Sequence, residues 1–411
     1  MLKKDFPIFV HNLDLVYLDS AATTLKPSSV IKAVDLYYQK FSSNSHRGIY
    51  SLAEKTTEYV EDTREIVAKF INAGTHEVAF TSGATDSINK FYYGFLKNVP
   101  KNSRVVLLES EHNSHLLPAK KWCDEFGLKL EIVEISNNLE QIEEDLLSML
   151  DNQTVLLGLS MDSNVMPLNL NFERIISRCN GLGIKVFLDA CQTVSHSSVD
   201  VKKLKVDALA FSAHKIYGPT GIGVLFVKED LIYNLEPLIV GGGTVDDFTL
   251  DNILYVDGIS KLEAGTQNMA GIFGLRAAID YVNQIGYKKI QKHLKSLIDY
   301  LSEKFLNLEF IETYPANISK NTSLVSFNLK NVHPHDVAAW LGQKGIAVRA
   351  GHLCAQPLLV EHGVMSVLRV SFALSTFASF SLLVTNTSAA EFNDNSSLLI
   401  ATLLPFACNN L

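Results

Sequence analysis

Asp207-Ala-Leu-Ala-Phe-Ser-Ala-His-Lys215-Ile-Tyr-Gly-Pro-Thr-Gly221 reads as an apolar strand, residues 207–211, running into a turn rich in Gly and Pro. A second apolar strand, residues 224–227, follows. Lys215 therefore stands on a rigid connection just beyond a strand. A lysine ε-amine becomes a nucleophile where its surroundings lower its pKa, and a Schiff base to an aldehyde cofactor is the commonest reason to fix one in such a place. An isolated lysine after a strand is as a rule a surface charge, so its neighbours decide.

Asp189 ends the apolar run Lys185-Val-Phe-Leu-Asp189 and is followed by Ala-Cys-Gln192. A carboxylate there suits a pyridinium nitrogen, which must stay protonated for the ring of pyridoxal phosphate to act as an electron sink. Gln192 is placed to reach the ring hydroxyl. The turn Thr81-Ser-Gly-Ala-Thr85 lies between the strand Glu77-Val-Ala-Phe80 and a helix expected from near Asp86. Backbone amides at such a helix start bind phosphate. His112 follows the strand Arg104-Val-Val-Leu-Leu-Glu-Ser110 and could lie flat on a cofactor ring. Each also has an ordinary reading: Asp189 a helix cap, Gly83 a tight turn, His112 a loop histidine. What they share with Lys215 is a place after a strand, and ligands of open α/β sheets collect outside the carboxyl ends of strands.

The ordered set Thr-Ser-Gly-Ala-Thr, Glu-His-Asn, Leu-Asp-Ala-Cys-Gln, Ser-Ala-His-Lys-Ile-Tyr-Gly-Pro-Thr-Gly and Glu263-Ala-Gly-Thr-Gln-Asn268 resembles the class V aminotransferase family of fold-type I pyridoxal phosphate enzymes. Within it the chain is most similar to the second group of cysteine desulfurases and selenocysteine lyases. Tyr17-Leu-Asp-Ser-Ala-Ala22, Ser45-His-Arg-Gly48, Ser163-Asn-Val165, Gly241-Gly-Gly243 and Arg349-Ala-Gly-His-Leu-Cys354 extend the likeness, which runs from about Val16 to Ala373. It implies an α/β fold, with a mostly parallel seven-stranded sheet flanked by helices in a large domain and a smaller α+β C-terminal domain. It also implies pyridoxal 5'-phosphate held covalently by Lys215, its ring held by Asp189 and Gln192 with His112 stacked on it. Ser212, His214 and the Gly83, Ala84 and Thr85 turn would take the phosphate, with Thr266 reaching in from a second subunit of a homodimer.

Cys354 makes the reaction specific. Its segment, Ala347-Val-Arg-Ala-Gly-His-Leu-Cys-Ala-Gln-Pro357, reads as a loop with a proline stop, and Arg349 and His352 could favour a thiolate. From the residues alone a buried structural cysteine is an equal alternative; the resemblance makes Cys354 the sulfur acceptor. L-Cysteine, or L-selenocysteine, would be the substrate, Lys215 would move its α-proton, and the products would be alanine and a persulfide on Cys354. Arg369 matches the family's carboxylate-binding arginine, a planar bidentate partner, although alone it reads equally as a strand arginine in a surface ion pair. Asn164 would lie near the same substrate. A sulfur-acceptor protein of the iron–sulfur assembly system would follow. An aminotransferase or lyase acting on another amino acid, with Cys354 incidental, is the second reading, and an inactive product with a disrupted C-terminus is the third.

The chain departs from the family pattern at Asn113 and His115, where His and Asn are usual, and at Met166-Pro167, where a Gly is usual. Residues 375–411 depart further: they contain Glu391 and Asp394 but none of the chain's 36 Lys and Arg. A break that abrupt points to a shifted frame or a replaced terminus. The expected division is 1–15 packing on the small domain, 16–274 binding the cofactor, 275–374 forming the small domain, and 375–411 an atypical tail. Helical stripes at Val60, Val67 and Phe70, and at Ile290, Leu294, Leu297, Leu301 and Phe305, are expected in the core. A formal net charge of −8 argues against nucleic acid or an anionic membrane as partner. Five scattered cysteines and no zinc-type spacing point to a reduced compartment, the cytoplasm, and to no metal.

Overall fold

The computed structural model describes residues 3–45, 48–136, 138–306, 308–315 and 322–377. His46 and Arg47 of one quoted motif, Cys408 and the tail beyond Phe377 lie outside the described residues. The chain forms two compact units. The larger comprises residues 29–162 and 170–284; of the described residues, the smaller comprises those from 3 to 28, 163–169 and those from 285 to 377.

The larger unit is built on a seven-stranded sheet: β1 (Val78–Thr81), β2 (Arg104–Leu108), β3 (Lys129–Val133), β4 (Thr154–Ser160), β5 (Lys185–Asp189), β6 (Ala208–Ser212) and β7 (Gly223–Val227). Their order across the sheet is β1-β7-β6-β5-β4-β2-β3, with β7 antiparallel to both neighbours and every other pairing parallel. The mostly parallel seven-stranded sheet is thus the one expected. Its central strands are apolar runs such as Ala-Leu-Ala-Phe and Gly-Val-Leu-Phe-Val because both faces are covered. Helices Ala84–Leu96, Asn113–Phe126 and Phe172–Leu182 follow β1, β2 and β4, and the last two end in left-handed glycines, Gly127 and Gly183.

The smaller unit holds a four-stranded antiparallel sheet in the order Ile311–Tyr314, Leu324–Leu329, Val367–Ser371, Arg349–Gly351. Val16–Tyr17 pairs in parallel with Ile346–Ala347, and Asp19 bridges to Ser371. Helix Tyr287–Phe305 buries Ile290, Leu294, Leu297, Leu301 and Phe305, the stripe expected of it.

Local expectations change in three places. Phe70 is only half-buried, because the inward stripe of helix Ser51–Ile71 continues through Ala68 to Ile71 and leaves Phe70 to one side. The helix after β1 begins at Ala84 rather than near Asp86; Asp86 lies in its first turn, where its carboxylate accepts from the Ser82 amide at 2.9 Å. Pro357 does not stop the chain but sits in the first turn of helix Gln356–Glu361, where its missing N–H leaves no intrahelical bond unmade.

One close approach positions the end of this sheet. A Cβ on Gly223, the first residue of β7, would stand 2.5 Å from Gly83 Cα and 2.7 Å from its carbonyl carbon. Both atoms are backbone, so neither can swing aside. Gly223→Ala is expected to cost about 3 kcal/mol of stability, read as a lower urea midpoint; an unchanged midpoint would contradict the packing.

Candidate active site

In the larger unit the chemistry-bearing residues occupy one end of the sheet. Register places Ser160 beside Asp189, Asp189 beside Ala210, and Ser212 beside Gly223, which also pairs with Thr81. Beyond Thr81 the chain turns at Gly83, whose φ of +156° no side-chain-bearing residue readily adopts, and the helix starts. The Ala84 amide donates to Ser212 Oγ at 2.8 Å. A hydroxyl and a helix start are thereby held side by side, the pairing that an anionic group requires.

Asp189 is buried at the end of β5, and its Oδ1 accepts from the Cys191 amide at 2.9 Å. Gln192 is buried one turn on. Lys215 closes the single turn Ala213–Lys215 after β6; it is half-buried and forms no hydrogen bond or ion pair among the described residues. Its charge acts on the Cys191 thiol, which burial and Asp189 nonetheless push well above the usual thiol range. His214 is half-buried and Thr85 exposed.

His112 is the N-cap of helix Asn113–Phe126. Its Nδ1 accepts from the Ser114 amide at 3.0 Å, with the Ser114 hydroxyl 2.6 Å away. An accepting Nδ1 assigns the proton of the neutral ring to Nε2. Behind it, His115 is fully buried, with Nδ1 2.7 Å from Glu111 Oε2, while Glu111 Oε1 accepts from the Ser160 amide at 2.8 Å. The histidine found where Asn is usual thus belongs to a buried network tying the His112 segment to β4.

Thr266 is exposed, and its Oγ1 accepts from Asn44 at 3.3 Å. It lines an open cavity of about 840 Å³ together with Asn44, Gly242, Gly243 and Gln267. The start of its loop is anchored by Glu263, which accepts from Arg64 Nη1 and Nη2 at 2.6 and 3.0 Å and from the Phe80 amide at 2.6 Å. Arg64 shows in the sequence only as a charge inside an apolar stripe; its partner is far along the chain.

In the smaller unit Arg369 is 2 % exposed, and Arg349 stands directly opposite it on the neighbouring strand. Like charges facing each other across a sheet repel. Asp19 resolves the conflict: its carboxylate takes Arg349 through Nε at 3.1 Å and Nη2 at 2.8 Å, and Arg369 through Nη2 at 3.1 Å. Arg369 Nη1 donates to the Asn164 carbonyl at 2.8 Å, and its Nε is buried without a hydrogen-bond partner among the described residues. Burial and the neighbouring Asp19 push the Tyr17 hydroxyl up to about 12. Asp19 was present in a quoted motif, but nothing in its neighbourhood along the chain marks it as the shared counter-ion.

Cys354 is the exposed one of the four described cysteines. It follows Leu353 in a turn where both residues have positive φ, 54° and 60°. Arg349 interacts electrostatically with it, and His352 is exposed. Arg349, Arg369, Asn164 and Cys354 are therefore linked within this unit, and Arg369 is buried instead of taking part in a surface pair.

Comparison with known proteins gives a consistent assignment. The family model for class-V aminotransferases matches residues 16–379. A cysteine desulfurase of Salmonella agona is 36% identical over 380 residues, covering 91% of this chain and 93% of that protein. The apo structure of a cysteine desulfurase from Thermococcus onnurineus superposes with a TM-score of 0.84 at 35% identity, covering 91% of this chain and 93% of that one. An Escherichia coli cysteine desulfurase, crystallised as an S-sulfonic acid, gives a TM-score of 0.85 at 30% identity, with 98% and 96% covered.

Two outcomes are expected at these residues. Asp19→Asn leaves the facing guanidiniums without their carboxylate and is expected to cost about 2–3 kcal/mol, with a lower urea midpoint; unchanged stability would show that the arginines do not need it. Cys123 and Cys179 are buried, and burial raises both thiols to about 12, so they stay protonated at pH 8. Iodoacetamide on the native protein at that pH should label Cys354 ahead of Cys123, Cys179 and Cys191, as read by peptide mass spectrometry. Equal labelling would contradict the burial.

Proposed function

The chain belongs to the class V aminotransferase family, and from that premise we propose that it is a pyridoxal phosphate-dependent cysteine desulfurase, converting L-cysteine to L-alanine with the sulfur left as a persulfide on Cys354. The observation that carries this reading is Cys354 itself: an exposed thiol in a left-handed turn, within reach of the Arg349 charge, in a chain whose other described cysteines are buried.

The larger unit suits the cofactor. Its half-buried Lys215 amine forms no ion pair among the described residues, Asp189 is buried at a strand end, and the Ser212 hydroxyl sits against a helix start at a glycine turn. The chemistry pyridoxal phosphate supplies when bound is covalent capture of an amine and an electron sink for the adjacent carbon. Lys215 Nζ would be the capturing amine and, once displaced by substrate, would move the α-proton. Asp189 would keep a proton on the ring nitrogen, Gln192 would meet the ring hydroxyl, and His112 would cover the ring face. Ser212, His214 and the Gly83, Ala84 and Thr85 turn would hold the phosphate.

Arg369 would bind the substrate carboxylate, for which its unpartnered Nε and its burial leave it suited. Cys354 Sγ, as thiolate, attacks the substrate sulfur: an S–S bond forms, the C–S bond breaks, and its electron pair stays with the carbon fragment, which takes protons and leaves as alanine. The Arg349 charge acts electrostatically on that thiol. We extend the proposal to L-selenocysteine as a second substrate, a homodimer in which Thr266 serves the other subunit's phosphate, a cytoplasmic setting and a sulfur-accepting protein partner for iron–sulfur assembly. The exposure of Thr266 suits the second subunit and that of Cys354 the sulfur-accepting partner; among the described residues no helix is long and apolar enough to cross a membrane.

Purified protein given L-cysteine and a thiol reductant, which reduces the persulfide and frees its outer sulfur, should form alanine and sulfide in equal amounts. Cys354→Ala is expected to keep the cofactor's visible absorbance and lose sulfide release by more than about a hundredfold, whereas Lys215→Ala should lose the covalent absorbance as well. Unchanged turnover in Cys354→Ala would favour an enzyme acting on another amino acid.

A further inference from the structure

We propose that Asn164 is a positioning residue that holds the Cys354 turn in its strained left-handed form and connects it to Arg369. The side-chain amide of Asn164 donates to the Leu353 carbonyl at 2.6 Å, and the Asn164 backbone carbonyl accepts from Arg369 Nη1 at 2.8 Å. Asn164 and Arg369 are both buried. One residue thus joins the guanidinium to the peptide that immediately precedes the nucleophile.

The turn needs such a support. Two consecutive residues with side chains, Leu353 and Cys354, hold φ values of 54° and 60°, a region that costs of order 1–3 kcal/mol per residue outside glycine. Such a conformation persists only where its surroundings impose it. Three restraints do so: Leu353 is buried, the Ala355 amide donates to the His352 carbonyl at 3.0 Å, and Asn164 takes the carbonyl between the two strained residues. The support is itself fixed. Ser163 Oγ accepts from the Val165 and Met166 amides at 3.2 and 3.1 Å, and Ser326 Oγ donates to the Val165 carbonyl at 2.6 Å. Without the Asn164 amide the turn would relax and Cys354 would lose its aim, while the carboxylate-binding face of Arg369 would remain.

This inference rests on Cys354 as the sulfur acceptor, but its test reads the backbone as well as turnover. In the holoenzyme carrying Asn164→Ala, hydrogen exchange at the Ala355 amide should accelerate roughly three- to tenfold, the value of one net hydrogen bond. The amide of Val370, in the sheet core, should exchange as in the parent. With L-cysteine, kcat should fall with KM little changed. Asn164→Asp, of the same shape but without the donor, should behave alike. The proposal is overturned if the Ala355 amide exchanges as in the parent, if Ala355 and Val370 accelerate together, or if KM rises at constant kcat, which would make Asn164 a substrate contact. Cys354→Ala in the same turnover assay separates these failures from failure of the sulfur-acceptor reading itself.

Discussion

A single carboxylate lets two arginines face each other across adjacent strands. Asp19 takes Arg349 and Arg369 together, and what the smaller unit offers to a substrate depends on that arrangement. An uncompensated pair of guanidiniums at this spacing would repel, and Arg369, almost wholly buried, has no water to fall back on. With Asp19 in place the three groups keep one net positive charge, enough to receive a carboxylate and to influence a thiol. Burial works against the Arg369 charge and Asp19 supports it. A guanidinium remains protonated through such opposition, where a lysine would not.

The larger unit depends on a constraint of another kind, space rather than charge. Gly223 approaches the Gly83 backbone so closely that the antiparallel strand tolerates no added carbon there, while Gly83 is itself held to glycine by its φ of +156°, and beside this contact the Ala84 amide donates to the Ser212 hydroxyl. The parallel strands then deliver Asp189 and the Lys215 turn to the same end of the sheet. Each unit therefore prepares one part of the chemistry by a different device, tight backbone packing in one and a shared counter-ion in the other.

Much of this was legible in the sequence because strands of period and composition this clear mark their own carboxyl ends, and Lys215, Asp189, His112 and the Gly83 turn all follow such ends. The glycine, arginine and histidine around Cys354 likewise marked a turn rather than core. What could not be read was long-range. Asp19 meets its arginines more than three hundred residues away in sequence, Glu263 meets Arg64 across 199 residues, and no local pattern encodes either pairing. The bond from Asn164 to the Leu353 carbonyl joins a side chain to a backbone atom, which leaves no compositional trace. Pro357 misled for a simpler reason: proline ends a helix from within but opens one from the first turn, and only the backbone shows which applies.

The account stands on sulfur passing to Cys354. The direct measurement is the mass of the Cys354 peptide after a single turnover of the holoenzyme with L-cysteine in the absence of reductant. The peptide is predicted to gain one sulfur atom as one alanine appears. Alanine formed while that peptide keeps its original mass, or with the added sulfur on another cysteine, would contradict it.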